Sequence, residues 1–422
     1  MTKITKTAKL ITVLLWIPIT WGSAAAMAAP ATPVSTAACQ AAPLVIAHRG
    51  ASGYLPEHSL EAYRQAIAQG ADIIEVDLVP SQDAVLMTRH ENELSNSTDV
   101  AKHPEFANRQ TRKMVDGVWQ QGWFSEDFTL QELRTLKLKE TLPALRKESA
   151  QYDGQFQIAT FAEVLQLLAR ENQQRSLQVG RKAVDIYIET KHPTYFAQAG
   201  RTLSNQPIGL DITALLVEAL LKYQSLLPDT VYIQSFEMSN LLQLRAALLP
   251  ALPKPLQQKI KLIQLLGDTK QQYMQPKDSF SEPFDLVYLQ QTAATPSPAL
   301  AELAKKLPAV LKPGFHYGQL LNTAALPLLA GYADGIGPWR QSLYPWIGAD
   351  LTLLRQAQSA GLQVHPYTFR QEDVYLLKDK AGQTVSMHDE LTWLFQQGID
   401  GVFADFPDVA IKARSLACQA KG

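Results

Sequence analysis

The sequence predicts an α/β protein built as a (β/α)8 barrel of the TIM type, with inserts around its C-terminal mouth. Three observations carry that prediction. From residue 44 onward, short runs rich in Val, Ile and Tyr alternate with stretches of helical period. The alternation repeats eight times, the number of units that closes a parallel sheet on itself. The chain of 422 residues is 46% apolar and 19% charged, so it has material for a large core. A doubly wound open sheet is the alternative that the same alternation allows.

The expected strands, in order, are Leu44–His48, Ile73–Leu78, Asp185–Lys191, Val231–Phe236, Lys261–Leu266, Gly335–Trp339, Gln363–Phe369 and Val402–Asp405. Most are short apolar runs that end on polar residues, as strands buried on both faces do where they emerge. The clearest helices lie between them, at Ser59–Gln69, Thr160–Arg170, Thr213–Gln224, Met238–Leu249, Leu351–Ala360 and Glu390–Gln397. A further strand-like run, Ala84–Met87, follows the second strand after only Pro80-Ser81-Gln82-Asp83. A parallel return needs a crossover of roughly a dozen residues, so this run must fold back antiparallel, bringing His90 to the level of Glu75 and Asp77. Two inserts, Ser95–Gln157 and Gln271–Tyr332, are Pro- or Lys-rich, low in strand signal and too long for ordinary connections. They are expected to form caps or subdomains around the mouth.

The net charge is -1 and no basic run or basic-aromatic stripe is present, which argues against nucleic acid as a partner. Residues 1–28 place Lys3, Lys6 and Lys9 before an apolar stretch and a run of small residues, the order of a secretory signal. The stretch Leu10–Trp21 is too short to span a bilayer unaided, so no stable membrane insertion is expected once it is removed. Cleavage removes three lysines and takes the net charge from -1 to about -4. Export makes the two cysteines, Cys39 and Cys418, readable as a disulfide tying the ends of the mature chain. Two free thiols, or a lipid-anchored Cys39, are the alternatives.

In a barrel the chemistry sits where the strands end. The first strand ends His48-Arg49-Gly50, the second Glu75-Val76-Asp77, the hairpin Arg89-His90-Glu91, the third Glu189-Thr190-Lys191 and the fourth Gln234-Ser235-Phe236. Glu75 and Asp77 are two apart and share one face of their strand. Two unpaired carboxylates are costly to bury, and a divalent cation with Glu189 as third ligand removes that cost. An all-oxygen set favours Ca²⁺ or Mg²⁺. The alternative is a structural ion network with Arg49 and Lys191. His48 and His90 are the natural proton carriers, since imidazole titrates nearest neutrality. Arg49 and Lys191 offer fixed positive charge for an anionic substrate, and Gly50 would let backbone approach it. His103, His192, His316 and His388 read as surface or capping residues, while His58 and His365 are ambiguous.

The segments HRGASGYLPEHSLEAY (His48 to Tyr63), GADIIEVDLVPSQDAVLMTRHE (Gly70 to Glu91), IETKHP (Ile188 to Pro193), QSF (Gln234 to Phe236), VHPYTFR (Val364 to Arg370) and GIDGVFADFPD (Gly398 to Asp408) resemble the glycerophosphodiester phosphodiesterases, most of all the periplasmic branch. The resemblance runs in order through nearly the whole mature chain. It implies a barrel that cleaves small glycerophosphodiesters such as glycerophosphocholine to glycerol 3-phosphate and an alcohol. It also implies His48 and His90 as general acid and base, and Glu75, Asp77 and Glu189 as ligands of one divalent cation, Ca²⁺ or Mg²⁺. Arg49, Lys191, Gln234 and Phe236 become substrate contacts. The glycerol hydroxyl beside the phosphate would attack phosphorus, and water would open the cyclic phosphate. The chain departs from the pattern at His90-Glu91, where His-Asp is common, and at Ala404-Asp405, where Thr-Asp is usual. Two other readings are weighed: a related phospholipase C or sphingomyelinase D acting on intact lipid, and a surface binding protein with a decayed site. No basic amphipathic stretch supports the first, and the intact set of histidines and acids speaks against the second.

Overall fold

A computed structural model describes residues 42–269 and 280–419. Its strands are β1 (Leu44–Ala47), β2 (Ile73–Pro80), β3 (Leu86–Thr88), β4 (Thr111–Val115), β5 (Val118–Gly122), β6 (Asp185–Thr190), β7 (Val231–Ser235), β8 (Ile260–Leu266), β9 (Gly335–Pro338), β10 (Gln363–Val364) and β11 (Gly401–Ala404). Eight of them form a parallel sheet in the order β10-β9-β8-β7-β6-β2-β1-β11, and β3 returns antiparallel on β2 as a hairpin. The ring closes just beyond β10. There the Phe369 N–H donates to the Phe403 carbonyl (2.9 Å) and the Asp405 N–H to the Phe369 carbonyl (3.1 Å). Closure excludes the open doubly wound sheet and gives a (β/α)8 barrel.

β10 is shorter than the expected Gln363–Phe369 because Pro366 has no N–H to give to a ladder. Every residue of β2, β7, β9 and β11 is buried, since the strands are covered on both faces. Inside the ring, Ile46, Ile73, Tyr187, Tyr232, Ile263 and Phe403 form one packed layer. Tyr187 and Tyr232 stack within it at 4.7 Å. This layer floors the mouth, so the barrel is a packed core rather than a pore.

Local sequence sets the helix ends. Ser59 caps the helix Leu60–Gln69 by accepting from the Ala62 N–H, and Gly70 ends it in the left-handed region. Thr160 and Glu163 form a capping box on the helix Phe161–Ser176. Gly50 has a packing role that the sequence did not suggest. A Cβ there would lie 2.7 Å from the Ala62 backbone, so glycine lets the first helix close on β1.

The two inserts are built differently. The first holds the hairpin β4–β5, turning at Asp116-Gly117 with φ of 46° and 84°, which corrects the expectation of little strand there. It packs its own core, in which Leu94, Phe106, Trp123, Phe124, Phe128 and Leu138 are buried. Among its described residues the second insert is helical, at Phe284–Thr292, Pro298–Lys306 and Leu326–Ala330. It adds Leu286, Leu300 and Leu326 to the main core. Residues 1–28 and Cys39 lie outside the described residues, while Cys418 stands in the last turn of the helix Pro407–Gln419.

Candidate active site

Register assembles the first part of the site. In the parallel pairing of β2 with β6, Asp77 sits beside Glu189, and Glu189 sits beside Gln234 of β7. Glu75, two residues before Asp77, points to the same face, so three carboxylates meet above the aromatic floor. Glu75, Asp77 and Glu189 each offer an oxygen within 4.8 Å of the others, and all three side chains are buried. Burial, with Asp77 adjacent, pushes the Glu75 carboxyl well above its ordinary range. Burial likewise pushes Glu189 up to about 8, against the pull of Lys191 at 3.0 Å. Asp77 is held well below its ordinary range: burial opposes this, and the His58 hydrogen bond and Lys191 override it. Asp77 Oδ1 nevertheless has no protein partner. Crowded buried acids, one with an orphaned oxygen, form a donor set that fits an oxygen-seeking divalent cation.

The loop after β1 supports this cluster. Arg49 and His58 both take left-handed backbone conformations, with φ of 58° and 60°. The Arg49 N–H donates to Glu75 Oε2 (2.8 Å), and its guanidinium reaches Glu57 (2.7 Å) and Asp77 (3.6 Å). His58 Nε2 lies 3.0 Å from Asp77 Oδ2 and its Nδ1 lies 2.8 Å from the Tyr63 hydroxyl. His58 therefore orients one carboxylate of the triad. Gln234, expected to contact substrate, also donates to Glu75 Oε1 (3.1 Å).

Each candidate proton carrier has a carboxylate at Nδ1. His48 Nδ1 lies 2.6 Å from Asp405 Oδ1, which leaves Nε2 as the nitrogen for chemistry. Burial would raise Asp405, but Arg370, Arg146 and His48 hold it well below the usual carboxylate range. Burial and then the Arg49 charge push His48 down to about 4, against the pull of Asp405. His90 Nδ1 lies 3.1 Å from Glu91 Oε1, and burial with the charges of Arg49 and Lys191 keeps its pKa well below the ordinary value.

His192 is not the surface or capping residue expected. It is nearly buried in the site wall, with Nδ1 at 2.6 Å from Asp116 and Nε2 at 3.2 Å from Glu91. Burial disfavours its charge, but the two carboxylates raise its pKa to about 10. It links the tip of the insert hairpin to the carboxylate behind His90. His365 is no candidate for proton transfer: it is fully buried beside the aromatic floor, 3.0 Å from the Tyr187 hydroxyl. His316 caps a turn and His388 is exposed at a helix start, as expected.

These groups line a cavity of about 580 Å³, sized for a small ligand. His48, Arg49, Glu75, His90, Glu189 and Lys191 form one side. The opposite side is aromatic: Phe236 packs against Phe280, Tyr317 and Tyr367, and Trp339 against Phe280. The sequence reading found His48, His90, the three acids, Arg49, Lys191 and Phe236, and the fold brings all of them to this cavity or its floor. It missed Asp405, Arg146 and Asp116. The dipeptide Asp116-Gly117 between apolar residues was a readable hairpin signal, whereas no local pattern marks Arg146.

Residues 48–409 match the glycerophosphoryl diester phosphodiesterase family model. Glycerophosphodiester phosphodiesterase GDPD6 of Arabidopsis thaliana is 31% identical over 376 residues, 86% of this chain and 84% of its own. The glycerophosphodiester phosphodiesterase of Haemophilus influenzae is 29% identical over 384 residues, 87% of this chain and 89% of its own. A crystal structure from Silicibacter pomeroyi described under the same family name matches with a TM-score of 0.51 at 16% identity, covering 89% of this chain and 94% of that one. That likeness supports the fold, and the sequence matches support the chemistry. A barrel mouth holding two carboxylate-backed histidines beside a buried acidic triad, in a chain matched along most of its length, belongs to the glycerophosphoryl diester phosphodiesterase family of phosphoric diester hydrolases.

Proposed function

We propose that this chain hydrolyses small glycerophosphodiesters, such as glycerophosphocholine, to glycerol 3-phosphate and an alcohol, with His48 and His90 carrying protons beside one divalent cation, Ca²⁺ or Mg²⁺. The observation that carries this reading is the meeting of three buried carboxylates and two histidines in one cavity. Glu75, Asp77 and Glu189 would hold the cation, which supplies positive charge for the phosphate and acidifies a nearby hydroxyl. Arg49 and Lys191 stand beside that cluster as fixed cations able to bind the phosphate oxygens. One histidine takes the proton of the glycerol hydroxyl as its oxygen bonds to phosphorus. The other gives a proton to the alcohol oxygen as that P–O bond breaks. In the second step the roles exchange: water loses its proton, bonds to phosphorus, and the ring P–O bond opens onto a protonated hydroxyl.

The cavity, of about 580 Å³, supports a small soluble diester over an intact lipid. Comparing turnover on glycerophosphocholine with turnover on a phospholipid micelle tests this, and faster cleavage of the lipid would overturn it. For the cation, protein treated with chelator and desalted should be inactive until Ca²⁺ or Mg²⁺ returns. Full activity without added metal would remove it from the mechanism. The basic-apolar-small order of residues 1–28 supports export, and export supports a Cys39–Cys418 bridge, worth roughly 4 to 5 kcal/mol in the loop-entropy model. Mass spectrometry of secreted, unreduced protein tests both, and two alkylatable thiols would refute the bridge.

A further inference from the structure

Behind His48 lies a buried arginine that comes from neither the barrel strands nor their ends. Arg146 stands in the first insert, with its side chain only 4% exposed. Its guanidinium bonds three separate stretches of chain. Nη1 donates to the Ser52 carbonyl (2.8 Å), Nη2 donates to Asp405 Oδ2, and Nε donates to Glu372 Oε1 (2.5 Å). Two of these lead to His48. Asp405 takes the imidazole on its other oxygen, and the Ser52 hydroxyl donates to the His48 carbonyl (2.8 Å). Arg370 also reaches Asp405 Oδ2 (2.8 Å), but through one nitrogen and from a side chain 24% exposed. A single exposed donor leaves a carboxylate free to turn, whereas a buried fork with three fixed acceptors does not.

We propose that Arg146 is a positioning residue for catalysis: it fixes the plane of the Asp405 carboxylate and the loop of Ser52, and thereby the tautomer and aim of the His48 ring. The first insert is then part of the proton-transfer apparatus and not only a cap over the mouth. The inference rests on the reading of His48 as a proton carrier. Its physical basis is that of any outer carboxylate–histidine support, in which removing the support leaves binding largely intact and costs the reaction step.

The charged groups that face His48 are Arg49 from its own loop, Asp405 and Arg370 from the closing edge of the barrel, and, through Asp405, Arg146 from the insert. Removing Arg146 takes away positive charge and unmasks Asp405, so protonated His48 gains stability. The limb of kcat/KM that reports His48 should move to higher pH: the acid limb where His48 is the base of the first step, the alkaline limb where it is the acid.

The test uses the full chain with saturating Mg²⁺ or Ca²⁺ and glycerophosphocholine, comparing Arg146→Lys, Arg146→Ala and His48→Ala. The two Arg146 variants should lose about 10- to 100-fold in kcat per folded molecule with KM changed little. Added guanidinium at millimolar concentration should restore part of kcat in Arg146→Ala. The lysine variant keeps the charge without the fork and should stay slow, which serves the test where the alanine variant folds poorly. Wild-type kcat in folded Arg146 variants, or a pH profile in which neither limb moves in Arg146→Ala, would overturn the inference. His48→Ala separates the two levels. If it is inactive while the Arg146 variants are native, only this inference fails; if it is active, the histidine assignment itself fails.

Discussion

The two halves of the barrel mouth are made of different material. Along β11, β1, β2 and β6 the mouth presents Asp405, His48, Glu75, Asp77 and Glu189, all buried and charged or titratable. Along β7, β8, β9 and the segment after β10 the cavity wall carries Phe236, Leu265, Trp339 and Tyr367 among polar neighbours such as Gln234 and Arg340. The charged half is fixed by hydrogen bonds and ion pairs that reach across the whole chain, from His48 to Asp405 and from Gln234 to Glu75. The aromatic half is fixed by ring packing. The difference assigns them different work: the first carries charge and protons, and the second sets shape. Substitutions in the first should act on kcat and those in the second on KM.

The largest effect should come from Glu75→Ala, which removes an oxygen of the proposed cation site and the acceptor of the Arg49 and Gln234 hydrogen bonds. Turnover should fall to background while the fold is kept, as read by circular dichroism. Appreciable activity would mean that the triad holds no catalytic cation. Next come His48→Ala and His90→Ala, each expected to lower kcat by about 10² to 10⁴ with little change in KM. Near-native turnover per folded molecule in either would take that residue out of the mechanism.

On the aromatic side, Phe236→Ala should weaken binding by about 1 to 2 kcal/mol, roughly a tenfold rise in KM, with kcat nearly unchanged. A fall in kcat with native KM would erase the proposed division between the halves. Cation affinity should depend on pH, because burial pushes Glu189 up to about 8 and bound metal needs the ionised form. The apparent Kd, measured calorimetrically, should weaken steadily below pH 8, with proton release on binding. Affinity that stays constant from pH 6 to 9 would contradict this.

The smallest effect concerns the link from the insert to His90. The folded pKa of His192 is about 10, raised above its ordinary 6.5, so its contribution to stability is complete below about pH 6.5 and is lost as pH rises through 10. Asp116→Asn weakens that link. The gap in Tm between wild type and Asp116→Asn should therefore be widest below pH 6.5 and close towards pH 10. A gap of one size throughout would show that the Asp116–His192–Glu91 chain is not ionic.

The charged half was largely legible because strand geometry writes it locally. Glu75 and Asp77 are two apart on a strand, and the short turn after β2 forces His90 back beside them, so pattern alone predicted their meeting. The aromatic half was mostly illegible, since an aromatic residue that lines a cavity and one that fills a core have the same local pattern. Only Phe236 was named, through its motif. Gly50 was read only for phosphate approach, and the packing that its missing Cβ allows involves a helix that sequence could not place. His192 was read as a surface residue because its partners lie in other segments: Glu91 about 100 residues before it and Asp116 in the hairpin of the insert.

The sequence by itself determined the barrel, the acidic triad and the two histidines. Strand alternation, the period of two within a strand and a hairpin too short for a crossover are local rules with few outcomes. Tertiary structure alone decided what stands behind those residues. Asp405 meets His48 across 357 positions of chain, Arg146 reaches both from an insert with its own core, and His192 is charged only because two distant carboxylates close on it. Such partnerships depend on distance in space and on burial, which convert an unremarkable Asp or Arg into a fixed charge, and no spacing along the chain encodes either.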